Sequence, residues 1–155
     1  MSGLENKPLE NFQLEVGIVP SKVLIVDDDV ETTELMKILL EPNAFEVAVA
    51  NSVQDGMEKV NSLKPDVMIV DLMMPNMDGW QVCREVRKFS RVPILVLSVV
   101  NSPEMVAKAL DAGADEYLVK PVTCSVLIAH LRRLARRAKL ERGGNFSKPA
   151  LGYSA

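Results

Sequence analysis

From Lys22 onward two kinds of apolar spacing alternate along the chain. Continuous runs such as Val23-Leu24-Ile25-Val26, Val67-Met68-Ile69-Val70 and Pro93-Ile94-Leu95-Val96-Leu97 are too short for helices and rich in β-branched residues. They read as strands buried on both faces, over 23–27, 66–70 and 93–97. Two shorter segments, 45–49 and 116–119, complete a set of five. Between them lie stretches with helical spacing. The first, over about 30–41, carries Leu35, Ile38 and Leu39 at core spacing and meets Pro42 after its end. Ser52 caps the second, which runs to about 63, and Pro65 closes the connection. The third covers about 79–89, with Val82 and Val86 on one face. Ser102-Pro103-Glu104 opens the fourth with a cap and a first-position proline, and Gly113 suits a left-handed end to it. The fifth, about 123–139, buries Leu127, Ile128, Leu131 and Leu134 while exposing Arg132, Arg133, Arg136, Arg137 and Lys139.

Strands alternating with single helices imply a parallel sheet covered by helices on both faces. Residues 1–20 are polar and aperiodic and read as a flexible arm; 21–140 form the folded domain; 141–155, after Gly143-Gly144, read as a tail or linker. The 48% hydrophobic content supplies a core, and a net charge of -3 argues against the chain alone being an electrostatic nucleic-acid binder. The basic residues from Arg132 to Arg142 accordingly read as a solvated helix face. No apolar run approaches the roughly 20 residues of a membrane span, and no basic-then-apolar leader opens the chain, so a cytoplasmic location is expected. Cys83 and Cys124 lack metal-ligand spacing and read as reduced thiols; His130, alone on a basic stretch, reads as a surface residue.

The chemistry gathers where strands end. Asp71 follows the 67–70 run and opens Asp71-Leu72-Met73-Met74-Pro75-Asn76-Met77-Asp78-Gly79. The first strand ends in Asp27-Asp28-Asp29, the fourth at Ser98, the fifth at Lys120-Pro121. In open parallel sheets, ligands bind outside the carboxyl ends of the strands, near the switch in strand order. Two acids, a hydroxyl and a lysine around one strand-end carboxylate fit reversible phosphoryl capture. Mg2+ suits clustered carboxylates because it takes oxygen ligands and keeps several waters. Mg2+, the Lys120 ammonium and the Ser98 hydroxyl can each take one equatorial phosphoryl oxygen, with Asp71 as the nucleophile that yields an acyl phosphate.

In these motifs, with Gly113-Ala114-Asp115-Glu116-Tyr117, the chain from about 22 to 139 resembles a response-regulator receiver domain of the CheY-like superfamily. It leans toward the OmpR/PhoB-type subclass that controls winged-helix transcription regulators. The resemblance implies an α/β fold: a doubly wound five-stranded parallel sheet of the (βα)5, flavodoxin-like kind. It implies that Asp71 accepts phosphate from a sensor histidine kinase, and that Asp28, Asp71 and the Met73 carbonyl ligate Mg2+ while Asp27 acts through a water. It further implies that Lys120 pairs with the phosphoryl group through a strand end with a cis Lys120–Pro121 bond, and that Ser98 and Tyr117 are the switch residues. Asp29 matches no ligand of the family and is left as a helix cap. The protein is then a phosphoacceptor switch, not an enzyme in its own right. Phosphorylation is expected to reshape the face of helix 102–112, strand 116–119 and helix 123–139 and so drive homodimerisation. On that face Glu116 and Arg137 match one of the subclass's charged pairs, whereas Val106, Val126 and His130 replace charged residues. Met73, Val99 and Val100 are expected to crowd the path of hydrolytic water, with Val99 bulkier than the usual alanine. DNA would be reached only through an output domain outside this chain; the alternative is a stand-alone phospho-dependent interaction module. Two other readings fit less well. Three aspartates after the first strand would repel a flavin phosphate, and Met73 stands where an aspartyl phosphatase has its general acid.

Overall fold

Five short, β-branched segments pair edge to edge in the computed structural model, which describes residues 19–74 and 77–143. They are β1 (Ser21–Val26), β2 (Phe45–Ala50), β3 (Val67–Val70), β4 (Ile94–Ser98) and β5 (Glu116–Val119). All pair in parallel in the order β2-β1-β3-β4-β5. The helices are α1 (Val30–Leu40), α2 (Val53–Leu63), α3 (Gly79–Arg87), α4 (Pro103–Asp111) and α5 (Cys124–Arg142). This is the doubly wound five-stranded sheet expected. The element bounds agree with the sequence reading to within about three residues, the scale on which helix ends fray.

Alternation along the strands sorts the core into two layers. Leu24, Val26, Met68, Val70, Ile94 and Val96 face α2, α3 and α4, where Val60, Val82, Val86 and Ala109 meet them. Val23, Ile25, Val67, Ile69, Leu95 and Leu97 face α1 and α5, against Leu40, Leu127, Leu131 and Leu134. A strand side chain of either parity therefore lies in apolar surroundings, which is why these segments read as unbroken apolar runs.

Capping is as the sequence indicates. Asp29 accepts from the Glu31 N–H, Ser52 from the Asp55 N–H and Ser102 from the Met105 N–H. Gly113 takes φ +114 beyond the end of α4. One expectation fails. Leu35, Ile38 and Leu39 do not form the core face of α1; they are 57%, 66% and 46% exposed. The buried positions are Thr33 and Leu40, with Met36 packed beside them. The Thr33 hydroxyl donates to the Val30 carbonyl and accepts from Asn51 Nδ2, so a polar residue can occupy the inner stripe without an unmet hydrogen bond. That stripe is rotated by about 140° around the helix from the leucine-rich one.

At the end of the sheet away from Asp71 the last helix is tied down. Asp66, 4% exposed, accepts from the Lys22 N–H at 2.7 Å and pairs with Arg142, whose guanidinium also donates to the Lys64 carbonyl at 3.2 Å. Lys139 reaches Ser21 Oγ at 3.0 Å. These contacts carry α5 to Arg142, past the expected end near 139.

Candidate functional site

Parallel register brings the polar strand ends to one edge. Val26 pairs with Val70, Val70 with Val96, and Ser98 with Val119, so the residues that follow emerge side by side. The Asp71 N–H donates to the Val26 carbonyl at 3.2 Å, and the Lys120 N–H to the Ser98 carbonyl at 2.8 Å. Asp27, Asp28, Asp71, Ser98 and Lys120, named from sequence at the strand ends, are thus gathered at one edge. Lys120 Nζ lies 3.4 Å from Asp71 Oδ2, and the Lys120–Pro121 bond is cis.

The acids differ in surroundings. Asp27 is buried; its carboxylate accepts from the Asp29 N–H at 3.0 Å, while Asn51 Nδ2 donates to its carbonyl at 2.7 Å. Burial raises the Asp27 carboxyl above its ordinary pKa, and the Asp71 and Asp28 charges add to this; the Asp29 N–H and Lys120 oppose it. Asp28 and Asp71 are half-buried. Asp29 points away, accepting from the Thr32 hydroxyl, which lowers its pKa; it is the helix cap expected and not a member of the site.

Ser98 is fully buried and accepts from the Val100 N–H at 3.2 Å. Tyr117 donates its phenolic hydrogen to the Val100 carbonyl at 2.5 Å. The loop after β4 is therefore held from both sides by the two residues expected to switch. Val99, 68% exposed, lines an apolar cavity of about 520 Å³ with Met36, Leu39, Pro121 and Cys124; Lys120 forms part of its wall. The Met73 side chain lies outside the described residues. Its backbone pairs antiparallel with Asp78 in a two-residue hairpin, where the sequence suggested only a loop.

Three features escaped the sequence reading. Gly79 opens α3 because a Cβ there would press on the Asp71 carbonyl oxygen and lie 2.6 Å from Leu72 Cα. Asn51 steadies the acidic loop; its place at the end of β2, just before the Ser52 cap, was the available signal. Asp115 is a hub: Oδ2 accepts from Arg87 and from the Ile94 N–H, both at 2.8 Å, and Oδ1 accepts from Arg137 at 2.7 Å.

The face of α4, β5 and α5 shows how its charges are arranged within one chain. Glu116 pairs with His130 at 2.6 Å and with Arg133, while Arg137 pairs with Asp115 and with Glu141 at 3.8 Å. Glu116 and Arg137 therefore engage other partners inside the monomer. His130 is half-buried and hydrogen-bonded rather than a free surface residue. Among the described residues no helix is long and apolar enough to cross a membrane, and no three His, Cys, Asp or Glu side chains form a complete metal-ligand group, so a cation at this edge would also need backbone and water oxygens.

Residues 23–132 match the model of the response regulator receiver domain. The chain is 39% identical over 123 residues to the transcriptional regulatory protein AfsQ1 of Streptomyces coelicolor, covering 79% of this chain and 54% of that protein. It is 40% identical over 134 residues to the response regulator MprA of Mycobacterium ulcerans, covering 86% and 58%. The chain thus spans a little over half the length of these relatives. Among solved structures it resembles the Francisella response regulator 1452 receiver domain, with TM-score 0.70 and 32% identity over 76% of this chain and 98% of that one. It also resembles the BeF3-activated N-terminal receiver domain of Klebsiella pneumoniae RstA, with TM-score 0.70 and 31% identity over 74% and 98%. With its five-stranded order and its strand-end acids, serine and lysine, the chain belongs to the response regulator receiver domain family of two-component signalling.

Proposed function

We propose that this chain is a phosphoacceptor switch in which Asp71 takes a phosphoryl group from the phosphohistidine of a sensor histidine kinase. The observation that carries the reading is the convergence of Asp27, Asp28, Asp71, Ser98 and Lys120 at one sheet edge, with the Lys120 ammonium 3.4 Å from Asp71. In the transfer the phosphorus–nitrogen bond to histidine breaks and a bond to an Asp71 carboxylate oxygen forms. Lys120 is poised to neutralise one phosphoryl oxygen and Ser98 to donate to another.

The donor set suits Mg2+. Asp28, Asp71 and the Met73 carbonyl would hold it, with Asp27 acting through a water. All are hard oxygen donors, too few to displace every water, which is how Mg2+ is commonly bound. Burial above all, with the Asp71 and Asp28 charges adding to it, raises the Asp27 carboxyl, and a cation bound there would offset that cost. When bound, Mg2+ would offset charge on the transferring phosphoryl group.

Phosphate on Asp71 would draw the Ser98 hydroxyl off the Val100 N–H, and Tyr117 would move as its Val100 contact changes. The α4–β5–α5 face would then reshape and favour a homodimer. Transcription is the output read from the name of AfsQ1, and it would require a DNA-binding domain outside these residues. Met73, Val99 and Val100 would limit access of hydrolytic water. The exposed ridge of Leu35, Ile38 and Leu39, with the cavity beneath Val99 and Pro121, supports a docking surface for a kinase helix beside the acceptor.

The test is incubation with Mg2+ and acetyl phosphate, read by intact mass. The wild type should gain one phosphate that is lost in base, and Asp71→Asn should gain none. Equal uptake by the variant would sink the assignment.

A further inference from the structure

Trp80 is the only tryptophan of the chain. It is the second residue of α3, next to Gly79, which touches the Asp71 backbone. The Trp80 backbone N–H donates to Asp78 Oδ1 at 2.9 Å. The indole is 9% exposed and packs in the layer that also holds Leu72, just past the acceptor, and Ala109 of α4. Over its face lies Lys108 of α4, with Nζ 4.4 Å from the ring centroid. The indole Nε1 is buried with no hydrogen-bond partner among the described residues.

One ring therefore sits between the acceptor loop and the last turn of α4, while the start of α4 follows the loop held by Ser98 and Tyr117. An ammonium over an indole face is attracted by the ring's negative quadrupole. The unpaired Nε1 works in the other direction. A buried donor without an acceptor is costly, and any arrangement that brings it to water or a carbonyl recovers that cost. The ring is thus held in place by Lys108 and by packing, with a polar end that gains from moving. A ring held this way can take a second position when the acceptor loop or α4 moves.

We propose that Trp80 and Lys108 form a latch that couples the phosphoacceptor loop to α4 and holds α4 in its unphosphorylated position. The latch rests on the reading that Asp71 is phosphorylated. It assigns to two side chains, neither of which touches phosphate, control over how readily the switch is thrown. Because Lys108 is exposed, the contact is worth about a two- to five-fold bias in population.

The experiment uses Trp80 as its own reporter. Wild type, Lys108→Met and Lys108→Arg are incubated with Mg2+ and acetyl phosphate, with phosphate uptake followed by intact mass and indole emission by fluorescence. In the wild type, emission should change in step with uptake. Lys108→Met keeps the aliphatic stem but lacks the cation; it should take up phosphate about two to five times faster. Its unphosphorylated emission should be shifted toward the phosphorylated spectrum, and Lys108→Arg should behave as wild type. Normal uptake with unchanged emission, or Lys108→Met reacting at the wild-type rate, overturns the latch and leaves the phosphoacceptor reading intact. No uptake in any of the three overturns both.

Discussion

Replacing Gly79 by alanine sets two effects of known sign against each other. Gly79 is the first residue of α3 and has no left-handed φ, so alanine fits the backbone, and helix propensity favours it by less than the about 1 kcal/mol of a helix interior. Space opposes it. The added Cβ would press on the Asp71 carbonyl oxygen, 2.6 Å from Leu72 Cα and 3.0 Å from the Asp71 carbonyl carbon. These are backbone atoms at the end of β3, with no side chain to rotate away. Moving Leu72 Cα from 2.6 Å even to 3.0 Å shifts the residue next to Asp71, the proposed phosphoacceptor. Overpacking of a rigid neighbour costs about 1–3 kcal/mol and sometimes more. The clash should win, leaving Gly79→Ala destabilised by roughly 1–2 kcal/mol in urea unfolding. Because Asp71 moves with the strand end, uptake of phosphate from acetyl phosphate should slow by about tenfold. A variant at least as stable as wild type and phosphorylated at the same rate would refute the close-approach argument.

Further outcomes follow from the same structure. Asp115→Ala should destabilise the fold by about 2–4 kcal/mol in urea unfolding, because Arg87 and the Ile94 N–H lose their shared acceptor in a half-buried place; a loss under 0.5 kcal/mol would mean that water replaces the hub. Burial pushes the Cys83 thiol up to about 11, whereas Cys124 is exposed. At pH 8 a maleimide should label one thiol in the native protein, mapped to Cys124, and two after unfolding. The Cys83 contribution to stability is present below the ordinary thiol pKa and is lost as pH rises toward about 11, so it does not disturb that assay. Asp28→Asn should weaken the Mg2+ dependence of phosphate uptake, seen as a rise of about tenfold or more in half-saturating Mg2+; an unchanged Mg2+ curve would remove Asp28 from the ligand set.

Strand positions were legible because a strand buried on both faces leaves an unbroken apolar run with little else to be. Helix starts were legible because Asp29, Ser52 and Ser102 cap through contacts two or three residues away. The site was legible for a topological reason: in a parallel sheet every strand's carboxyl end lies on one edge, so the polar residues after the runs had to gather there. The face of α1 was not. Leu35, Ile38 and Leu39 have valid core spacing, and only the contact of Thr33 with Asn51, eighteen residues away, shows which stripe turns inward. The Asp66–Arg142 pair joins residues far apart in the sequence and leaves no local signature. The same holds for the three partners of Asp115 and for Lys108 over Trp80, which pair residues from separate elements. Gly79 was visible as a residue but not as a reason, since a loop glycine and a close-approach glycine look alike in one dimension.

The central claim is that one carboxylate, Asp71, carries the phosphoryl group, and locating the acyl phosphate tests it most directly. Borohydride reduces an aspartyl phosphate to homoserine, leaving a stable mark at the modified position. After treatment with Mg2+ and acetyl phosphate, reduction and proteolysis, peptide sequencing by mass should find homoserine at position 71, with Asp27, Asp28 and Asp78 unchanged. Homoserine at any of those three with Asp71 intact would contradict the account.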